Sequence, residues 1–253
     1  MPEIRRDLRL FSDGREIAQG CRMTLTARLD LSLRPALHQL QIRELSDSSA
    51  ALLSGARQIE VRSGNSVLAF GMLSEVLTRT SGGQRITDLI FSPGLFLWES
   101  SVSLTVPAGM KVSETIRRLL SASGSGISLA AFAAEDVSLS RPQAFFGRTC
   151  DALSLMAETV DADAFISPAG LCISGREKQE PGLVLSKGDL LTPPIRTGNR
   201  LLLVTAMTGW QIGAFARIAW EDASWTGRLV SAFLQADNVS GLWKAELEAE
   251  LGF

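Results

Sequence analysis

Gln58-Ile59-Glu60-Val61-Arg62-Ser63-Gly64-Asn65 alternates polar and apolar side chains and then runs into a Gly-Asn step. A period of two is the pattern of a half-buried strand, and Gly-Asn is a turn former. Val67 to Phe70 reads as the returning partner strand. Gly71 marks a bulge or a close backbone approach, and Leu73 to Thr80 carries the strand on. Ser81-Gly82-Gly83 reads as a tight hairpin turn, after which Gln84 to Phe91 returns as a further strand. Three strands joined by short turns make an antiparallel meander, so this stretch sets the fold class as β.

The same pattern extends outward. Met23 to Leu29 alternates strictly, and Leu37 to Ile42 does so more loosely. Between them and the meander, Ser46 to Leu53 suits one or two helical turns. Toward the C-terminus, Arg200 to Thr208, Ala214 to Trp220, Gly227 to Leu234 and Leu242 to Leu251 each read as strands. The last is the clearest: Trp243, Ala245, Leu247 and Ala249 alternate with Lys244, Glu246, Glu248 and Glu250. Asp222 to Gly227 and Asp237 to Gly241 have the composition of connecting loops.

The middle of the chain has a different period. Val112, Ile116, Leu119 and Leu120 share one face at helical spacing, with Ser113 expected as the N-cap and Glu114 in the first turn. Ser121 to Gly126 provides the stop. A second helix starts at Thr149, with Ala152, Leu153, Met156, Ala157 and Val160 as its apolar stripe. Ala164 to Ser167 and Leu171 to Ser174 form a hairpin around Pro168-Ala169-Gly170. The expected fold is therefore mainly β with a minor α component: two small barrel-like domains, residues 1–106 and 181–253, bracketing a helix-containing segment, 107–180.

Composition narrows the function. The 253 residues carry a net charge of −2, which gives no electrostatic case for nucleic-acid binding. Cys21, Cys150 and Cys172 are far apart and form no CxxC pair, so they read as reduced core residues suited to a cytoplasmic folding environment. The N-terminal MPEIRRDLRLFSDG has no apolar core of a secretory signal. Leu201 to Trp220 has the length of a membrane span, but it contains Arg217, Gln211 and Gly209. An arginine at the centre of a spanning helix costs about 2.5–3.5 kcal/mol, so two strands turning near Gly209 is the better reading.

Reactive groups are sparse. His38 is the sole histidine, sits in a strand, and is accompanied by no GxSxG nucleophile elbow. One histidine and scattered cysteines leave no transition-metal motif, and neither Ser81-Gly82-Gly83 nor Gly124-Ser125-Gly126 has the Walker lysine. Two carboxylate pairs, Asp161/Asp163 and Glu221/Asp222, have the residue types of a glycosidase but also of solvated turns. No catalytic residue, cofactor or metal is expected. Arg5, Arg6 and Arg9, and Arg117-Arg118, read as solvated faces. Trp98, Trp210, Trp220 and Trp243 read as core, whereas Trp225, in an expected loop, is the candidate partner contact.

The order of these segments resembles the baseplate hub proteins of long-tailed phages and related contractile particles. The likeness rests on Gln58 to Gly64 followed by Ala69-Phe70-Gly71-Met72-Leu73-Ser74-Glu75-Val76; on the helix Lys111 to Leu120; and on Thr149 to Ala157 with Ala162 to Ile166 and Gly170-Leu171. It ends with the closing hairpin Gly227-Arg228-Leu229-Val230-Ser231-Ala232-Phe233, Asp237-Asn238 and Leu242 to Glu248. Leu229 and Ala232-Phe233 depart from the family pattern, which has an aromatic and more polar residues there. The resemblance implies a structural protein of the virion tail, made in the host cytoplasm. It would form a homotrimeric ring of six small barrels at the tail axis. That ring would adapt a sixfold tail tube to a threefold spike around a central channel. Its partners would be tube or distal tail proteins, the central spike and other baseplate proteins, with no specific nucleic-acid binding and no membrane. Two other readings are a tail-associated glycan hydrolase on the carboxylate pairs and a receptor- or glycan-binding β-domain around Trp225.

Overall fold

The computed structural model describes residues 7–177, 179–206 and 209–252. The chain divides into two compact units: Met1–Asp30, Ala36–Ser92 and Gln179–Phe253 form the first, and Leu31–Pro35 with Pro93–Lys178 form the second.

The first unit starts with β1 (Arg9–Ser12), β2 (Arg15–Ile17), β3 (Arg22–Asp30), β4 (His38–Arg43), α1 (Asp47–Ser54), β5 (Gln58–Ser63), β6 (Ser66–Ser81) and β7 (Gln84–Ser92). The second unit holds α2 (Leu95–Glu99), β8 (Ser101–Val106), α3 (Val112–Ser123), β9 (Leu129–Ala133), β10 (Gln143–Arg148), α4 (Thr149–Thr159), β11 (Ala162–Ser167) and β12 (Gly170–Gly175). The chain then re-enters the first unit with β13 (Leu183–Leu185), β14 (Ile195–Thr197), β15 (Arg200–Thr205), β16 (Phe215–Trp220), β17 (Ala223–Asp237) and β18 (Trp243–Leu251). The protein is mainly β with a minor helical component, as its periodicities predict.

The hairpins form where the sequence places their turns. Gly82 and Gly83, at φ 58° and 77°, join Ser81 to its partner Gln84 in a two-residue turn that needs left-handed backbone at both positions. Gly71 is not a bulge: it pairs with Ile59, and the extra residues fall on either side of it, at Leu68 and Ser74 of β6. Ser113 is not the N-cap of α3. Lys111 is, and Ser113 lies inside the first turn, where Asp136 accepts from its backbone N–H (2.9 Å) and its hydroxyl (2.8 Å). The carboxylate supplies from outside the helix what a capping side chain supplies from within.

Asp222 to Gly227 is not a loop. The turn is only Glu221-Asp222, with Glu221 at φ 52°, and β17 starts at Ala223. Cross-strand pairing, Ile218 with Trp225 and Ala216 with Gly227, overrides the loop-like composition. Trp225 is therefore half-buried against the core of the first unit instead of exposed on a loop.

The strands of the first unit form one sheet in the order β14-β15-β18-β17-β3-β4-β7-β6-β5-β1-β2, with β16 pairing β17 and β13 pairing β16. Its two halves repeat one plan. In the first, β5, β6 and β7 are consecutive antiparallel neighbours, β4 pairs β7, and β3 pairs β4. In the second, β16, β17 and β18 are consecutive neighbours, β15 pairs β18, and β14 pairs β15. The irregularities repeat as well. The bulge at Ser74 separates Leu73↔Phe91 from Glu75↔Ile90, and one at Val230 separates Leu229↔Ala249 from Ser231↔Glu248. Each bulge follows a Gly-x-Leu step, Gly71-Met72-Leu73 or Gly227-Arg228-Leu229. The halves join where Ser231 to Asp237 of β17 pairs antiparallel with Asp30 to Thr24 of β3. One apolar core serves both halves, with Leu40 and Leu89 of the first and Leu203 and Leu247 of the second in equivalent places.

The second unit has its own core. α3 buries Val112, Ile116, Leu119 and Leu120, and α4 buries Ala152, Leu153, Met156 and Ala157. β11, β12 and β9 make a small sheet, antiparallel between β11 and β12 and parallel between β12 and β9; β8 and β10 make a two-stranded ribbon. Leu33, from the short segment Leu31–Pro35, is buried in this core.

Candidate assembly surface

His38 and the two carboxylate pairs are each held by neighbouring protein groups. His38 is fully buried on β4, with Nδ1 accepting from the Arg28 backbone N–H at 3.3 Å. Burial lowers its pKa to about 4, so the ring is neutral. Asp161 and Asp163 do come together, but around Arg176, which binds Asp161 at 3.3 Å and Asp163 at 2.8 Å. The Asp163 hydrogen bond raises the Arg176 pKa, and the cation holds both acids as ion-pair partners. Glu221 and Asp222 sit together in the exposed β16–β17 turn, where Lys187 Nζ lies 2.9 Å from Glu221. Each pair is thus held in a surface ion pair with a basic side chain, Arg176 or Lys187.

The cysteines are free thiols, with Cys150 and Cys21 both pushed up in pKa by burial. Among the described residues no group of three or more potential metal ligands occurs, and no helix is long and apolar enough to cross a membrane. Arg5 and Arg6 lie outside the described residues. Arg9 pairs with Glu16, and both Arg9 and Arg62 stack on Phe11, with guanidinium carbons 5.2 and 4.5 Å from the ring centroid. Arg118 pairs with Glu114 at 2.9 Å, and Arg117 donates to Ser113. Trp243 is buried, while Trp98, Trp210 and Trp220 pack half-buried against their cores.

What remains conspicuous is unpaired backbone and exposed apolar surface. β6 is long, and only Ser66 to Met72 pairs with β5. From Ser74 to Ser81 its far edge faces no strand among the described residues, and every residue there except Val76 is exposed. β14 terminates the opposite end of the sheet, and Ile195, Arg196 and Thr197 are all exposed. Ile195 faces Leu202 across the β14–β15 ladder, and both are solvent-exposed. Open edges of this kind are templates for adding a strand from another chain. On β10, Phe145 is buried and Phe146 is 92% exposed.

Sequence reading missed these features for different reasons. Phe145-Phe146 within a strand is itself a signal, since adjacent residues face opposite ways. The β6 edge carries no local signal, because openness depends on which distant strand is absent. Arg228, 1% exposed and donating from Nε to the Gly213 carbonyl at 3.4 Å, was equally hidden: nothing beside it marks a buried guanidinium.

The fold is that of phage tail proteins. A tail protein from Neisseria meningitidis MC58 superposes with a TM-score of 0.74 at 16% identity, over 96% of this chain and 95% of that one. The 43 kDa tail protein of prophage MuSo2 from Shewanella oneidensis gives 0.72 at 11% identity, over 96% and 97%. An E. coli component of the type VI secretion system, described as similar in structure to the T4 bacteriophage tail proteins gp27 and gp5, gives 0.69 at 12% identity, over 96% and 77%. No family profile and no curated protein matches the sequence.

Proposed function

We propose that the chain is a structural, non-enzymatic protein of the tail tip: a homotrimeric baseplate hub at the tail axis. In this reading β1 to β7 and β13 to β18 supply two barrel-like domains. The first ends at Ser92 and not at the expected 106, because β8 pairs with β10 and buries Val102 and Val106 in the core of the second unit. The observation that carries the reading is the internal repeat. One chain holds two like halves, with matching strand order and matching bulges at Ser74 and Val230. Three such chains present six like halves, which lets one ring meet sixfold symmetry on one side and threefold symmetry on the other. The tail-protein fold over 96% of the chain supports the same assignment.

The partners are then the tail tube or distal tail proteins on the sixfold side, a central spike on the threefold side, and neighbouring baseplate proteins. The ring surrounds a channel, and a chain with net charge −2 brings no excess of cations to retain a passing polyanion. Imaging of the protein bound to its tube neighbour tests the proposal. A threefold ring beneath a sixfold tube is expected. A monomer bound at one site per tube, or a sixfold ring of six chains, overturns it.

A further inference from the structure

We infer that β9, in the second unit, takes an extended segment of a different tail protein as a fourth strand, and that this segment is apolar with a carboxylate beside Arg117. The inference goes beyond the ring reading and needs only that the chain is part of a tail. β9 ends the small sheet β11-β12-β9, so one side of its backbone faces no strand among the described residues. An edge of this kind is matched by another extended backbone, which supplies donors and acceptors at the same spacing. The edges of the larger sheet at β14, β6 and β2 carry guards against such pairing. β14 follows Pro193-Pro194 and contains Arg196, the distal part of β6 contains Glu75 and Arg79, and β2 contains Arg15 and Glu16. β9 has none. Leu119 to Ala134 holds no charged residue and no proline, and the strand itself is Leu129-Ala130-Ala131-Phe132-Ala133.

The core beside this edge is unfinished. Ile127, Leu129 and Phe132 pack against the core of the second unit, yet each is only half-buried. Between the C-terminal half of α3 and the start of β9 lies an open groove of about 500 Å³, lined by Leu120, Ile127, Leu129 and Arg117 among others. A strand added to β9 turns every second side chain toward α3, where apolar ones fill the groove and cover these residues. Its other side chains lie beside Ala131 and Ala133, which are small and exposed. Charge then selects the partner. Arg117 is the one charged residue among those lining the groove. It donates to the Ser113 hydroxyl at 3.3 Å and has no carboxylate partner among the described residues, whereas its neighbour Arg118 is matched by Glu114. A carboxylate on the incoming segment meets that unmatched cation. The same strand from a second copy of this chain carries no acid to offer it.

Hydrogen exchange and photo-crosslinking on the full-length protein, alone and within purified tail particles, test this. The backbone amides of residues 129–133 are expected to exchange at least about tenfold more slowly in the particle than in the isolated chain. A photo-crosslinking phenylalanine analogue replacing Ala133, an exposed site that the fold tolerates, is expected to join an acidic, apolar segment of a different tail protein. Arg117→Glu should lower the yield of that crosslink severalfold and Arg117→Lys should largely keep it, with both unfolding midpoints near that of the wild type. Equal exchange of these amides in the particle and in the isolated chain overturns the added strand and leaves the tail-tip reading standing. A crosslink to a second copy of this chain overturns the choice of partner, and a yield indifferent to Arg117→Glu overturns the acidic segment. Absence of the chain from the particle overturns both this inference and the tail-tip reading.

Discussion

The imidazole of His38 meets the ring of Phe91 edge-on, with centroids 5.2 Å apart and planes at 72°, across the β4–β7 ladder. The ring is buried, its Nδ1 accepts a backbone hydrogen bond, and among the described residues its Nε2 has no partner. A proton would add a charge to an apolar site and turn the Nδ1 acceptor into a donor facing another donor.

A pH dependence follows from that geometry. His38 titrates near 4 when folded, against an ordinary value of 6.5. Between these values the unfolded chain binds the extra proton, so stability is full above about pH 6.5 and falls as pH drops toward 4. A displacement of this size is worth about 3 kcal/mol at most. His38→Leu places there the residue that the second half uses at the equivalent position, Leu201. Denaturant unfolding of both proteins from pH 4 to pH 7 should show the wild type losing more stability than the variant. Parallel curves would show that His38 does not control this window.

Gly227 is irreplaceable for a steric reason rather than a torsional one. A Cβ there would stand 2.9 Å from the Glu250 carbonyl oxygen and 2.9 Å from Leu251 Cδ2, on the neighbouring strand β18. The oxygen is backbone in a central ladder and moves only if the ladder does. Gly227→Ala should therefore cost about 1–3 kcal/mol, the usual range for overpacking. Thermal unfolding reads it as a midpoint lowered by several degrees. An unchanged midpoint would mean that the β17–β18 pairing yields more readily than its register implies.

The first turn of α3 depends on Asp136, a residue with no place in the helix. Asp136→Ala removes the acceptor for both the Ser113 N–H and the Ser113 hydroxyl. The expected cost is about 1–2 kcal/mol, the range of a lost N-cap. Asp136→Asn keeps one carbonyl oxygen and should recover part of it. Chemical denaturation compares the three proteins, and equal stability in all of them would remove Asp136 from this role.

The contrast between Ser113 and Asp136 shows what the sequence could and could not disclose. Periodicity is local, so β18, α4 and the meander from Gln58 to Phe91 were legible from side-chain alternation alone. The helix face of Val112, Ile116, Leu119 and Leu120 was legible too, and all four are buried. The cap comes from a residue beyond the helix end, so only the folded chain reveals it. Trp225 failed for the same reason: Asp222-Ala223-Ser224 resembles a loop until Ile218 is placed opposite Trp225. The repeat was hidden because its halves share little beyond Gly-x-Leu before each bulge, although their ladders correspond. The open edges are defined by missing strands, and no residue encodes an absence.

Phe145 and Phe146 make the last contrast measurable. They are neighbours on β10, yet one is 5% exposed and the other 92%, because successive strand residues face opposite ways. Phe145 belongs to the core of the second unit, so Phe145→Ala should cost about 3–5 kcal/mol through lost burial and the cavity left behind. Phe146→Ala removes a ring that touches mostly water and should change stability by less than about 0.5 kcal/mol. Denaturant midpoints of the two variants measure the difference directly. A large loss for Phe146→Ala in the isolated chain would place its ring against protein surface and overturn the alternation.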